Sequence, residues 1–373
     1  MNSEQLPSNL YIHIPFCEKK CPYCSFYTKK GTPLEINKYI DSLCYEIKNR
    51  LTPGLTCIET IYFGGGSPNI LTPRQLKKIC TSIIELSPLS PTAEITIELH
   101  PFLITQKYIE DLLAIGFTRF SIGVESLDDS ELTLLGRNYS GQKAIDAINT
   151  VKKAGANNIN LDFIIALPEQ SKKSLNETIS KAIELKPQHL SCYILIFKEN
   201  SAFYQQKEKG ILTELDEKTI KNLYYSLHDQ LEEAGYLHYE IANWAKKGFQ
   251  CKHNYNFWNG HEYLGFGPSA ASFINDTHQT NVSTIKQYLT SPCSNYEKYP
   301  CKTSSQKIIS KIIRQTRLTN GIETTQFSSK ILKKLKEENL ILINKKKAIS
   351  TLKGWLVNDY VVQQLSNNMV KKK

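Results

Sequence analysis

Arginine is scarce in this chain. Six residues (Arg50, Arg74, Arg119, Arg137, Arg314, Arg317) stand among 373, although the formal charge is +10. Arginine is the side chain that grips phosphates and base edges in bidentate fashion, so an excess made almost wholly of lysine argues against a dedicated nucleic-acid reader. It describes a solvated basic surface, with attraction to acidic partners or an anionic membrane face as a weaker implication. Apolar runs of the roughly 18 residues that a membrane span needs are missing. The opening Met1-Asn-Ser-Glu-Gln-Leu-Pro7 has neither a basic nor an apolar leader, so export is not expected and a reducing, cytoplasmic setting is. Ten cysteines are too dilute for a disulfide framework. No second C-x2-C pair accompanies the first, as a zinc site would want. Dinucleotide fingerprint, P-loop and C-x-x-C-H haem attachment motif are absent. So are long low-complexity tracts and any repeat beyond a βα unit.

What is present is an alternation. Apolar, β-branched runs at Leu10–Phe16, Ile58–Phe63, Glu94–Leu99, Arg119–Val124, Asn160–Ile165 and Leu190–Ile196 are separated by helical-period segments near 36–50, 73–86, 105–115, 140–154 and 172–185. Thr72-Pro73 and Thr105 are helix starts, Gly116 and Gly155 helix stops. Strands spaced by single helices imply parallel βαβ units, and six of them rather than eight imply an open, partial barrel. The predicted class is α/β: a partial (β/α)6 barrel over residues 1–215, a small α+β region over 216–300, and a winged-helix-like domain over 301–373. The first of these later regions opens with an amphipathic helix, Glu217–Ala234. Residues 276–303 read as connecting loop. The tail from Ser304 reads helix, helix, Leu340–Ile343, a lysine turn at 345–347, Ala348–Ser350 and a last helix, taken as a packing module rather than a DNA reader. Lys371–Lys373 reads as a frayed end.

In parallel barrels the chemistry gathers at the carboxyl ends of the strands, and the informative residues fall there. Directly after the first strand comes Cys17-x3-Cys21-x2-Cys24. Three thiolates at this spacing hold three irons of a [4Fe–4S] cube and leave the fourth open, unlike ferredoxin patterns that close every iron. The ligand that suits an open iron is S-adenosylmethionine (SAM), and the motif points to a radical-SAM scaffold, with zinc or inert thiols as the competing readings. Gly64-Gly65-Gly66-Ser67-Pro68 after the second strand lets backbone approach a ligand closely. Glu98, Arg137 and Asp162 could meet a zwitterionic, ribose-bearing ligand, a carboxylate suiting ribose hydroxyls and an arginine suiting a carboxylate. A second constellation, Cys251-Lys-His253-Asn-Tyr-Asn-Phe257-Trp258 followed by His261, sets histidine among aromatic rings. That would suit a haem axial ligand; on chemistry alone an ordinary buried histidine is the stronger reading.

Together these motifs resemble the oxygen-independent coproporphyrinogen III oxidase family of radical-SAM proteins, from about Tyr11 to Phe273. The Y-x-H-I-P-F-C-x3-C-x-Y-C opening and the triple glycine carry the likeness. The oxidase branch has a fourth cysteine two residues past the third; here Ser25 and Phe26 follow Cys24, as in the haem-chaperone branch. That branch also carries H-N-x-x-Y-W, matched by residues 253–258 except for Phe257. The resemblance implies Cys17, Cys21 and Cys24 on the cluster. It implies Tyr11, Gly65, Glu98, Arg137 and Asp162 on SAM, Tyr23, Gly66 and Ser67 at positions where the oxidase branch contacts a second SAM, and His253 on haem. Glu125 stands where the family usually has Gln, and Gly267–Ser272 lacks a histidine often found there. The implied cofactors are a [4Fe–4S] cluster, SAM and haem, and the implied partners are haem and a haem-acceptor protein, a membrane haemoprotein among the candidates. No catalytic residue is assigned. A cytoplasmic protein, peripheral membrane attachment and a homodimer are compatible with it. The alternative is the oxidase itself, a radical-SAM enzyme that decarboxylates coproporphyrinogen III.

Overall fold

The computed structural model describes residues 7–51, 53, 57–293, 296–301 and 303–369; the terminal lysines 371–373 lie outside these. Six parallel strands lie side by side in chain order: β1 (Asn9–Ile14), β2 (Ile58–Gly65), β3 (Leu89–Leu99), β4 (Arg119–Glu125), β5 (Ile159–Ile165) and β6 (His189–Ile194). The crossovers carry α1 (Pro33–Arg50), α2 (Pro73–Ile84), α3 (Gln106–Ile115), α4 (Asp129–Leu134), α5 (Gly141–Lys153) and α6 (Lys172–Glu184). Their starts are written locally. Thr72 and Gln75 form a reciprocal capping box with Pro73 in the first turn, and Thr105, Ser140 and Ser171 each accept a backbone N–H of the first turn. Gly116, at φ 111°, closes α3 in the left-handed conformation.

Along each strand the side chains alternate between two environments. One set (Leu10, Ile12, Ile14; Ile61, Phe63; Ile95, Ile97; Phe120, Ile122; Leu161, Phe163) packs with helix residues such as Leu43, Ile79, Leu112, Ile148 and Ile179 in one buried cluster. The other set is polar and faces the barrel lumen: Asn9, Tyr11, His13; Thr60, Tyr62; Thr96, Glu98; Arg119, Ser121; Asn160, Asp162; His189, Ser191. These bond to one another across strands, as Thr60 does to Asn9 (3.0 Å), Tyr62 to Glu98 (2.9 Å), Ser121 to Asp162 (2.7 Å) and His189 to Asn160 (2.5 Å).

After β6 come α7 (Ala202–Glu208) and α8 (Glu217–Glu233). The sheet then gains β7 (Leu237–Glu240) and β8 (Asn243–Ala245), antiparallel beyond β6. After α9 (Lys252–Asn259), β9 (Leu264–Phe266) adds parallel to β1 at the other edge. Residues 276–303 are not the plain loop expected. They hold β11 (Thr277–Thr280) and β12 (Glu297–Pro300), which form a three-stranded sheet with β10 (Ala271–Ile274), and they hold α10 (Ile285–Thr290). Their polar composition masks a buried anchor. Glu46 of α1 has no exposed surface and accepts from Arg50 (2.5 Å), Asn281 (2.8 Å), the Gly267 N–H (2.9 Å) and Tyr288 (2.6 Å), tying this stretch to the barrel.

The tail follows the expected helix–helix–wing order. It comprises α11 (Ser304–Gln315), β13 (Ile322–Glu323), α12 (Ser329–Glu337), the hairpin β14 (Ile341–Asn344) and β15 (Lys347–Ser350), then α13 (Leu352–Leu356) and α14 (Asn358–Asn367). It has an apolar cluster of its own around Ile312, Ile331, Leu335 and Val361. Among the described residues no helix is long and apolar enough to cross a membrane.

Candidate functional site

The carboxyl ends of all six parallel strands surround one cavity of about 470 Å³, and Cys17, Cys21 and Cys24 line it together. The cysteine loop is held in place by its backbone: Cys17 N–H donates to Lys29 C=O (3.0 Å), and Cys24 N–H to Cys21 C=O (3.1 Å). Cys17 Sγ lies 3.6 Å from Ser67 Oγ, so the hydroxyl of the glycine loop stands next to the first thiol. Burial raises the pKa of Cys17 and Cys24, a cost that a thiolate-binding metal overcomes. Among the described residues no three His, Cys, Asp or Glu gather tightly enough for a single metal ion. A cube offers its irons at separate corners, so thiols around one chamber suit it better than they suit tetrahedral zinc.

Gly65 and Gly66 owe their identity to sterics. Gly65 has φ 115°, and a Cβ there would meet the His13 ring at 2.7 Å; one on Gly66 would meet Phe16 O at 2.5 Å. Gly66 and Ser67 donate to Ile14 and Phe16 carbonyls (both 2.7 Å), fastening this loop to the end of β1. Glu98 accepts from Gly65 N–H (3.0 Å) and Tyr62 (2.9 Å), yet burial and then the charge of Asp162 push its carboxyl up to about 7. Asp162, held by Ser121 and Asn160 (2.9 Å), is also raised by burial.

Glu125 ends β4 at a bulge, with φ 64°, and pairs with Arg137 Nη2. The same Nη2 donates to Tyr23 Oη (2.6 Å), while Arg137 Nε is buried without a partner. Burial raises the Glu125 pKa against the opposing pull of Arg137. The deep cavity thus sets three carboxylates and three thiols against one guanidinium. Within that set Glu98 and Asp162 fit a ligand carrying an ammonium and a sulfonium, and the orphaned Nε of Arg137, whose Nη2 Glu125 already holds, fits its carboxylate.

Of the residues singled out in the sequence, Cys17, Cys21, Cys24, Tyr23, Gly65, Gly66, Ser67, Glu98, Glu125, Arg137 and Asp162 meet at this cavity. Tyr11 stands just below: its hydroxyl bonds His13 Nδ1 (3.1 Å) and its ring stacks on Tyr62. His253 lies at the other end of the barrel. It is buried, its Nδ1 is 2.7 Å from Thr60 Oγ1, and burial followed by the charge of Arg119 pushes its pKa down to about 3. Four steps along β2, roughly 13 Å of strand, lead from Thr60 to Gly64 at the start of the glycine loop. Neither His253 nor the exposed His261 lines the cavity. Sequence reasoning missed the mouth, formed by Lys19, Lys20, Phe26, Tyr193, Ile196 and Lys198. The apolar run ending at Ile196 continues past the observed end of β6 at Ile194, and that overhang was the available signal.

Fold and site together define a class: a parallel α/β barrel with a three-thiol loop and an acid-lined ligand chamber at its strand ends. The Radical SAM superfamily model matches residues 11–182. A Lactococcus lactis protein named heme chaperone HemW is 31% identical over 92% of this chain and 91% of its own length, and its Bacillus subtilis namesake is 31% identical over 94% and 97%. The solved structure of Escherichia coli coproporphyrinogen III oxidase HemN, a radical-SAM enzyme, superposes with a TM-score of 0.82 over 98% of this chain and 91% of that one, at 22% identity, a likeness of fold. The chain belongs to the family of the HemW proteins, within the radical-SAM superfamily. Its cofactors are accordingly a [4Fe–4S] cluster and SAM.

Proposed function

We propose that this chain is a haem carrier, which binds haem on its cluster-bearing barrel and passes it to an acceptor protein. The observation that carries the reading is the end of the cysteine loop. Three thiols line the chamber and the chain continues with Ser25 and an exposed Phe26, where the oxidase branch has its fourth cysteine. The near full-length relatives named heme chaperone support it. In this reading Cys17, Cys21 and Cys24 hold the cluster, which when bound supplies an open iron for an amino-acid ligand. Gly65, Glu98, Arg137 and Asp162, with Tyr11 beneath them, position SAM. Tyr23, Gly66, Ser67 and Glu125 form the adjoining wall. Residues 1–215 act as the cofactor-bearing unit, with 216–300 and 301–373 as supporting units. The protein works in the cytoplasm, its lysine surface drawn to an anionic membrane face where a membrane haemoprotein is the acceptor; a homodimer is compatible with this arrangement.

A second reading, the oxidase, is favoured by the nearly complete set of SAM-contacting residues. An anaerobic haemin titration of the reconstituted protein, with 5′-deoxyadenosine measured in the same samples, separates the two. Saturable one-to-one haem binding with negligible deoxyadenosine is expected. Deoxyadenosine release that depends on coproporphyrinogen III, without haem binding, would establish the oxidase.

A further inference from the structure

Three large apolar side chains are exposed around the entrance of the cluster chamber: Phe26 (63% exposed), Ile196 (58%) and Tyr193 (43%). Phe26 belongs to the loop after β1, and Tyr193 and Ile196 to the end of β6 and beyond. In a flat sheet five strand spacings, roughly 24 Å, would part β1 from β6. Both instead border one chamber, so the curl of the sheet brings the apolar residues of its first and last parallel strands to opposite lips of the same opening. Apolar groups converging on an opening rather than scattered over a surface mark a binding face. Lys19 and Lys20 on one lip and Lys198 on the other line the same opening. Among the described residues none of the three pairs with a carboxylate.

Resting on the haem-carrier reading, we propose that haem seats at this mouth, its ring between Phe26 and Tyr193–Ile196 and its two propionates on Lys19, Lys20 and Lys198. A flat apolar disc with carboxylates at one edge matches apolar lips flanked by unpaired ammonium groups. The floor of the barrel is occupied by α9. His253 is enclosed there and hydrogen-bonded to Thr60, and seating a porphyrin on it would require α9 to leave the barrel. The mouth leaves the deeper acidic chamber to the zwitterionic cofactor, so cargo and cofactor occupy successive levels of one opening.

The test is a haemin titration of the reconstituted full-length protein, followed at the Soret band. Ile196→Asp, and Phe26→Asp combined with it, should weaken haemin binding by about tenfold or more, the worth of burying one large apolar side chain. Leu342→Asp, which alters a 58% exposed residue of the C-terminal hairpin, should not. Ile196→Asp lies away from the cysteine loop, and the visible absorption of the cluster reports whether each variant has kept its fold. Haemin dimethyl ester, lacking both charges, should bind the unaltered protein several-fold more weakly than haemin. Replacing Lys19, Lys20 and Lys198 with Gln should abolish that difference. Full affinity in Ile196→Asp and in the double variant, or equal binding of haemin and its ester, would overturn the seat while leaving the carrier reading standing. Failure of the unaltered protein to bind haemin would sink the carrier reading itself.

Discussion

Glu125 places a carboxylate in a chamber that already holds two half-buried ones, Glu98 and Asp162, and the protein accommodates it by turning Arg137 onto it. A ligand carboxylate approaching Arg137 must therefore compete with one supplied by the chain. Glu125→Gln keeps the shape and removes the competitor, and should tighten SAM binding by roughly tenfold, about 1.4 kcal/mol. Equilibrium dialysis of the reconstituted protein measures this; weaker binding would instead place Glu125 on the ligand's ammonium group. At this scale the sequence was highly informative. Of thirteen residues named from the sequence, eleven, separated by up to 145 positions, line one chamber, while Tyr11 and His253 do not. The pairing of Glu125 with Arg137 was not foreseeable, because it depends on the bulge that turns Glu125 to φ 64° at the end of β4.

Among the elements, α9 makes structural contacts that its sequence did not announce. The helix closes the amino-terminal end of the barrel. Glu94 of β3 caps it in trans, accepting from the N–H groups of Lys252 and His253 (both 3.3 Å) and from Cys251 Sγ (3.5 Å), while Asn256 bonds Asn9 (2.8 Å). A carboxylate at a helix start satisfies donors that would otherwise be orphaned. His253→Ala removes a buried ring and its bond to Thr60, and should destabilise the cluster-free protein by about 3 kcal/mol in urea unfolding. Haemin affinity should be unchanged; a loss of haem binding at full stability would return His253 to the haem site. The long helices were readable because Thr or Ser caps and apolar periodicity agree. Strands of three or four residues such as β7, β8 and β9 carry no periodicity and are defined by the sheet edges they complete. The alternation of polar and apolar residues within the parallel strands is present in the sequence, overlaid by the β-branched runs.

For the molecule as a whole, the polar lumen has an electrostatic cost. Burial pushes the Glu98 carboxyl up from an ordinary 4.5 to about 7, and Glu125 and Asp162 are raised as well, in each case chiefly by burial. A carboxyl with a raised folded pKa binds its proton more tightly in the native state. Its stabilising contribution is complete below about 4.5 and is lost as pH climbs through about 7. The melting temperature of the cluster-free protein should therefore favour Glu98→Gln over the unaltered chain increasingly from pH 5 to pH 8. A difference that stays constant with pH would show that Glu98 is not held in its neutral form. Bound SAM, with its two positive centres, should reduce the difference by compensating the carboxylates.

α9 packs across the amino-terminal end of the barrel, and the mouth at the strand carboxyl ends is a doorway to the chamber. What enters first lies deepest, and what enters last stands between it and solvent. A cargo resting at the threshold would hold the inner occupant in place for as long as it stays, so departure must run in the reverse order of arrival. The acceptor then meets only the outermost guest, and the inner one is replaced only while the doorway is empty.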